Sequence, residues 1–183
     1  MSKTQSERSL ERLVKAITPP TTPLHAPGTV GSAGATFPDD LYLFISTYGS
    51  GSFQYEGSDL VVVLNPFEPR YQAKRDKYLD LIREYKQEEG NNYIPYDIHP
   101  EKPGLFTWGW GEGRKHFFWL TQGEANDWPV IALYDIELFN RFDMPMILFL
   151  EQLLTGQMDA DFIGIPGKLA ARAVEFHPGV VPY

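Results

Sequence analysis

The sequence predicts an α+β fold: a single, largely antiparallel sheet of about five or six strands flanked by helices. Three observations carry this reading. Short β-branched or aromatic runs are bounded by Gly, Asn, Asp and Pro. Segments with apolar residues at helical spacing lie before, between and after those runs. Several strand candidates follow one another too closely for crossover helices, which favours antiparallel neighbours. With 183 residues, 43% of them hydrophobic, the chain suffices for one well-packed core and is short for two.

The first element is helical. Leu10, Leu13, Val14 and Ile17 recur at i, i+3, i+4 and i+7, so residues 5–17 form a helix with one apolar face. Residues 18–36 hold Pro19, Pro20, Pro23 and Pro27 with Gly28, Gly31 and Gly34, which supports neither helix nor strand and reads as a mobile linker or surface arm. Phe37-Pro38-Asp39-Asp40 opens a helix, with Asp39 or Asp40 as its cap, that carries Leu41, Phe44, Ile45 and Tyr48 and stops at Gly49. After a turn at 49–52, the run Leu60-Val61-Val62-Val63-Leu64 is a buried strand closed by Asn65-Pro66.

Tyr71, Lys74, Tyr78, Leu81, Ile82 and Tyr85 define a surface helix of about five turns that ends at Gly90-Asn91-Asn92. Strands come next near 104–109, 116–121, 130–134 and 138–142. In the first of these, strict alternation places Trp108 and Trp110 on one face. Asp143 is the expected cap of a last helix presenting Met146, Ile147, Leu150, Leu153 and Leu154 and stopping at Gly156. Beyond it only 168–174 has weak helical character.

Composition narrows the function. There are 24 acidic and 16 basic residues, a formal charge of -8, which disfavours direct contact with phosphate backbones and suits a basic protein partner. No cysteine is present, which removes disulfides, thiol nucleophiles and thiolate metal sites. The opening MSKTQSERSLERLVKAITPP has no apolar stretch of signal-peptide length, and no segment offers the roughly 20 apolar residues needed to span a bilayer. A cytoplasmic protein without membrane contact is expected.

No motif assembles catalytic chemistry. Gly109-Trp110-Gly111-Glu112-Gly113 is followed by strand-like aromatics rather than a helix and lacks GK[ST], so it reads as a hairpin turn. His25, His99, His116 and His177 have no metal-binding spacing, and the deaminase-like His99-Pro100-Glu101 lacks its cysteines. Asp39 and Asp40, Glu124 and Asp127, and Asp159 and Asp161 are close carboxylates, but capping and loop positions explain them better than a glycosidase pair. No GxSxG occurs. The expectation is therefore no catalytic residue, no metal and no cofactor. The abundant aromatics, among them Trp108, Trp110, Phe117, Phe118, Trp119 and Trp128, are expected mainly in the core, since only Arg114 and Lys115 supply local positive charge for base stacking.

One ordered set of segments resembles the SUKH superfamily of bacterial toxin-immunity proteins and fungal cell-wall regulators. Residues 37–53, with a Pro-Asp-Asp start and a Tyr-Gly-Ser-Gly exit, resemble its opening helix. Val63-Leu64-Asn65-Pro66-Phe67, the segment 100–109, Phe118-Trp119-Leu120, Asp127-Trp128-Pro129-Val130-Ile131 and residues 142–154 are similar to the family's later strands and closing helix. Phe37 stands where many relatives have leucine, and Lys102-Pro103 replaces a looser spacer. The resemblance implies a domain at 37–156, with 1–36 as an N-terminal helix and arm and 157–183 as an extension packed on it or trailing. It implies a non-enzymatic immunity protein that binds a cognate toxin, a nuclease or deaminase, with a regulatory scaffold as the alternative. Loop placement then nominates Tyr55, Glu56, Trp110, Glu112, Glu124 and Asp127 as partner contacts, acids against a basic toxin with an aromatic anchor.

Overall fold

The computed structural model describes residues 4–27, 37–89, 94–135, 138–170 and 173–179. Among them are four helices, α1 (Gln5–Ala16), α2 (Asp39–Tyr48), α3 (Tyr71–Glu89) and α4 (Met146–Leu154). The strands are β1 (Gly51–Tyr55), β2 (Ser58–Val63), β3 (Asp97–Ile98), β4 (Gly104–Gly111), β5 (Lys115–Leu120), β6 (Val130–Tyr134), β7 (Leu138–Phe142) and β8 (Val174–Pro178). They form one open sheet in the order β7-β6-β5-β4-β2-β1-β8, antiparallel except where the short β3 runs parallel to β4. The fold is α+β, as the sequence predicts, with eight strands rather than five or six.

The additional strands are β1, β3 and β8. β1 starts inside the Gly-Ser turn and folds onto β2 through Glu56 and Gly57, both at positive φ (51° and 81°), the geometry of a two-residue hairpin turn. β8 replaces the weak helix expected at 168–174. No α-helix occurs in the described part of that segment, and Val174, Phe176 and the residues between them pair with β1 instead. Residues 28–36, 90–93, 171–172 and 180–183, with the expected end of α3 at Gly90-Asn91-Asn92 and the glycines of the arm, lie outside the described residues.

Both sheet faces are covered. On one, Phe53, Val61, Val63, Phe106, Trp108, Phe117, Trp119 and Ala132 pack with α1, α2 and α4; on the other, Leu105, Phe118, Leu120, Ile131 and Leu133 pack with Leu79 and Ile82 of α3 and with Ile94 and Ile98. β4 departs from simple alternation. Its register against β5 shifts between Thr107 and Gly109, a bulge that adds one residue to β4. Trp108 therefore turns to the three-helix face, stacking on Phe117 at 5.2 Å between ring centroids, while Trp110 pairs with His116 on the α3 side, 6.0 Å from Tyr78. The two tryptophans do not share a face. His116, stacked on Phe118 and edge-on to Tyr78, is buried, and desolvation lowers its pKa to about 4.

The N-terminal helix belongs to this core. Thr4 and Glu7 form a reciprocal capping box at its start. Leu13 and Ile17 are buried in the cluster that also holds Leu150, Leu153 and Leu154 of α4. Arg12 makes two 3.1 Å bonds to the carboxylate of Glu151, whose side chain is 1% exposed, and the Tyr48 hydroxyl donates to the Ile17 carbonyl at 2.7 Å. Residues 18–27 are tied down as well. Ser50 donates its N–H to the Leu24 carbonyl and accepts from Gly179 N–H, and Asn65 Nδ2 donates both to Ser50 Oγ and to the His25 carbonyl. Residues 157–170 pack over the sheet too, with Phe162 against Phe142 and Phe149.

Because Leu13 is fully enclosed between α1 and the body, Leu13→Ala is expected to destabilise the whole protein by about 3 kcal/mol in urea unfolding. A helix merely tethered to the body would leave the transition unchanged.

Candidate functional site

Three helices begin at one cleft. α1, α2 and α4 each turn their N-terminal end to a depression of about 670 Å³ whose walls include Thr4, Glu7, Asp39, Asp40, Tyr42, Trp128 and Met146. An N-terminus leaves backbone N–H groups without helical partners and concentrates about half a positive charge. Each end here has a carboxylate close by. Glu7 closes the capping box of α1, and Asp39 and Asp40 occupy the first turn of α2. The cap of α4 comes from another helix: Asp40 Oδ2 accepts from Ile147 N–H at 3.1 Å. Asp143, the expected cap, instead receives Arg141 Nε at 2.8 Å, and Pro145 precedes the helix without a side-chain cap.

The remaining wall is the connection from β5 to β6. Asn126, within a 3-10 turn at Ala125–Asp127, exchanges two bonds with Asp39: its Oδ1 accepts Asp39 N–H at 2.7 Å and its Nδ2 donates to Asp39 Oδ2 at 3.0 Å. Trp128 comes directly after that turn, donates Nε1–H to the Gly123 carbonyl at 3.3 Å, and lays its half-buried ring 6.3 Å from Trp119 and 6.4 Å from Phe106. The cleft thus joins an aromatic wall to carboxylates from three helix starts.

Its electrostatics are settled by magnitudes. Glu7, Asp39 and Asp40 are the charged residues among the described lining, with no Lys or Arg. Among the described lining, three carboxylate charges outweigh about three half-charges from helix dipoles when the acids are ionised. Asp40, 5% exposed, has its pKa raised to about 6 by desolvation, against the lowering effect of backbone N–H groups of Ile147, Met146 and Leu41. Its Oδ1 is buried and has no hydrogen-bond partner.

The six nominated contacts do not form one patch. Glu124 and Asp127 are exposed and flank Asn126 at the cleft rim. Tyr55 and Glu56 lie at the opposite end of the sheet, beside a smaller depression of about 360 Å³ that includes Lys115, Ile165 and Pro166. Glu112 is at that end too, its N–H donating to the Asp59 carbonyl and its own carbonyl accepting from Lys115 Nζ at 2.5 Å. Trp110 is half-buried under α3, so most of its ring serves internal packing. Sequence reasoning passed over Glu7, Tyr42, Asn126 and Trp128 as site residues. The Thr4-x-x-Glu7 capping box is a readable sign of the first; no local pattern marks the others as sharing a surface.

Three of the six close carboxylates have structural partners. Asp39 is bound to Asn126, Asp40 to α4, and Asp161 Oδ1 accepts Gly167 N–H at 3.1 Å. Among the described residues no group of three or more His, Cys, Asp or Glu is placed to hold a metal ion, and no helix is long and apolar enough to cross a membrane.

Two of the buried titratable groups, Asp40 and His116, have opposite effects on stability between pH 4 and 7. Asp40 keeps its proton in the folded state between 3.8 and about 6, so its contribution is full below 3.8 and fades as pH rises through about 6. His116 favours the neutral ring, so its contribution is full above 6.5 and is lost as pH falls through about 4. Each amounts to roughly 3 kcal/mol, and the slopes largely cancel over the shared window. In urea unfolding from pH 4 to 7, Asp40→Asn is expected to expose a stability that drops on acidification, and His116→Phe one that rises.

Comparisons of the chain with protein-family models, with curated proteins and with solved structures find no match, so the functional reading rests on the site itself and on the resemblance in sequence.

Proposed function

We propose that this is a non-enzymatic binding protein of the SUKH type, acting in the cytoplasm, that neutralises a basic protein toxin such as a nuclease or deaminase by occupying its functional surface. The observation that carries the reading is the cleft. It couples three carboxylates with an accessible indole, and the exposed Glu124 and Asp127 extend the acidic surface at its rim. Aromatic anchors contribute much of the energy at protein interfaces, whereas surrounding acids speed and orient the approach of a basic partner. The formal charge of -8 acts in the same direction at longer range. The resemblance of residues 37–156 to immunity proteins supports the choice of a toxin as partner.

Neutralisation in this reading is a matter of surface complementarity and requires no bond making. Rigid capping favours it. Helix starts fixed by Thr4, Asp40 and Asn126 present their carboxylates without ordering loops on binding, which limits the entropic cost of association.

The test is capture of the toxin encoded beside this gene, followed by rescue of cells that express it. Trp128→Ala is expected to raise Kd about 30-fold, equivalent to about 2 kcal/mol, and to weaken rescue. Asp127→Asn is expected to slow association mainly at low salt, and Glu56→Gln, at the far end of the sheet, to leave Kd within about twofold. Absence of both capture and rescue by the unmodified protein rejects the proposal.

A further inference from the structure

We infer that the cleft at the three helix starts is a receptor for a guanidinium group, filled in the complex by an arginine side chain of the protein partner. This deepens the docking role proposed for the same cleft and rests on it.

Charge decides between cation and anion. A bare helix N-terminus attracts anions, and three of them together would make a strong anion site. Here each is accompanied by a carboxylate, so an entering anion meets Glu7, Asp39 and Asp40 before it meets free N–H groups. A cation meets the same acids with no Lys or Arg among the described lining to repel it.

Hydrogen bonding decides between arginine and lysine. Asp39 is exposed and uses Oδ2 to hold Asn126, which leaves its Oδ1 as an acceptor, while the buried Asp40 uses Oδ2 to hold α4. Asp40 Oδ1 is buried without a hydrogen-bond partner, so this carboxylate acts on the cleft through its charge. A guanidinium carries five N–H groups in a fixed planar fork and serves two carboxylates together; an ammonium is a compact point charge with a strongly held water shell. The walls agree with this. Trp128 offers a half-exposed indole and Tyr42 a half-exposed ring, surfaces on which a planar cation stacks. The volume, about 670 Å³, accepts the whole arginine side chain with adjacent backbone.

The full-length protein alone provides the test, read by NMR titration with N-acetyl-arginine amide, N-acetyl-lysine amide and inorganic phosphate as probes. The arginine probe is expected to shift the Trp128 indole N–H and the Asn126 side-chain amide in a saturable manner. The lysine probe is expected to bind at least about fivefold more weakly, and phosphate to leave both signals in place. Asp39→Asn, which keeps an acceptor and the fold, is expected to weaken the arginine probe about fivefold; Trp128→Phe keeps an aromatic wall and is expected to retain most of the binding. No saturable shift at these two signals, equal binding of the lysine probe, or stronger binding of phosphate overturns the assignment. Arginine binding in the cleft without capture of any toxin would leave this inference standing and remove the neutralisation reading. Toxin capture undiminished by Asp39→Asn would do the reverse.

Discussion

The bond from Asp40 to the start of α4 is the constraint on which the rest of the helical layer depends. α4 is apolar almost all round, and Met146 to Leu154 are buried with the exception of the half-buried Gln152. The upstream acid of this enclosed helix, Asp143, is drawn outward to Arg141. The missing acceptor arrives from α2. That single contact sets α2 and α4 start to start. α1 is then laid across α4 by Leu13 and by the Arg12–Glu151 bond and is held to the end of α2 by Tyr48. A cleft at the common N-terminal end is the outcome of this arrangement, and the carboxylates it displays are those that hold the helices in place.

The sheet solves a different problem, that of supplying apolar surface to both sides. Continuous runs such as Leu60–Leu64 and Phe117–Leu120 are suited to burial on two faces. The bulge in β4 apportions the largest side chains, giving Trp108 to the three-helix layer and Trp110 to α3. Gly109 and Gly111 border this switch because β2 approaches closely there: a Cβ at Gly111 would stand 2.1 Å from the Leu60 carbonyl oxygen. Without the extra residue, both indoles would compete for one side of the sheet.

Much of this is legible in sequence where a single segment carries the whole signal. The helical spacing of Leu10 to Ile17, the β-branched run at 60–64 and the aromatic strands at 104–109, 116–121 and 130–134 each announce themselves. The features that escape notice depend on partners distant in the chain. β1 lies in a Gly-Ser context typical of a turn, and β8 becomes a strand because β1 offers it an edge. The bulge leaves no local mark, since Gly-Trp-Gly is equally consistent with alternation. The site is hidden for the same reason. Asp39 and Asp40 have the sequence signature of a cap for their own helix, and their neighbours in the cleft come from residues 4–7, 42, 126–128 and 146. Loop position alone scattered the nominated contacts over both ends of the sheet.

The pairing of β1 with β8 bears on how the protein is made. Roughly 120 residues separate the two partners, and Ser50, just before β1, joins Leu24 on one side to Gly179 on the other. During synthesis the sheet can grow from β2 to β7, but β1 waits with one edge open and with Tyr48 and Phe53 lacking their contacts to Phe176. Such long-range closure slows folding relative to local pairing. The nascent chain therefore carries β1 without its β8 partner until residues 174–179 leave the ribosome, and over this interval pairing with another chain competes with closure of the sheet.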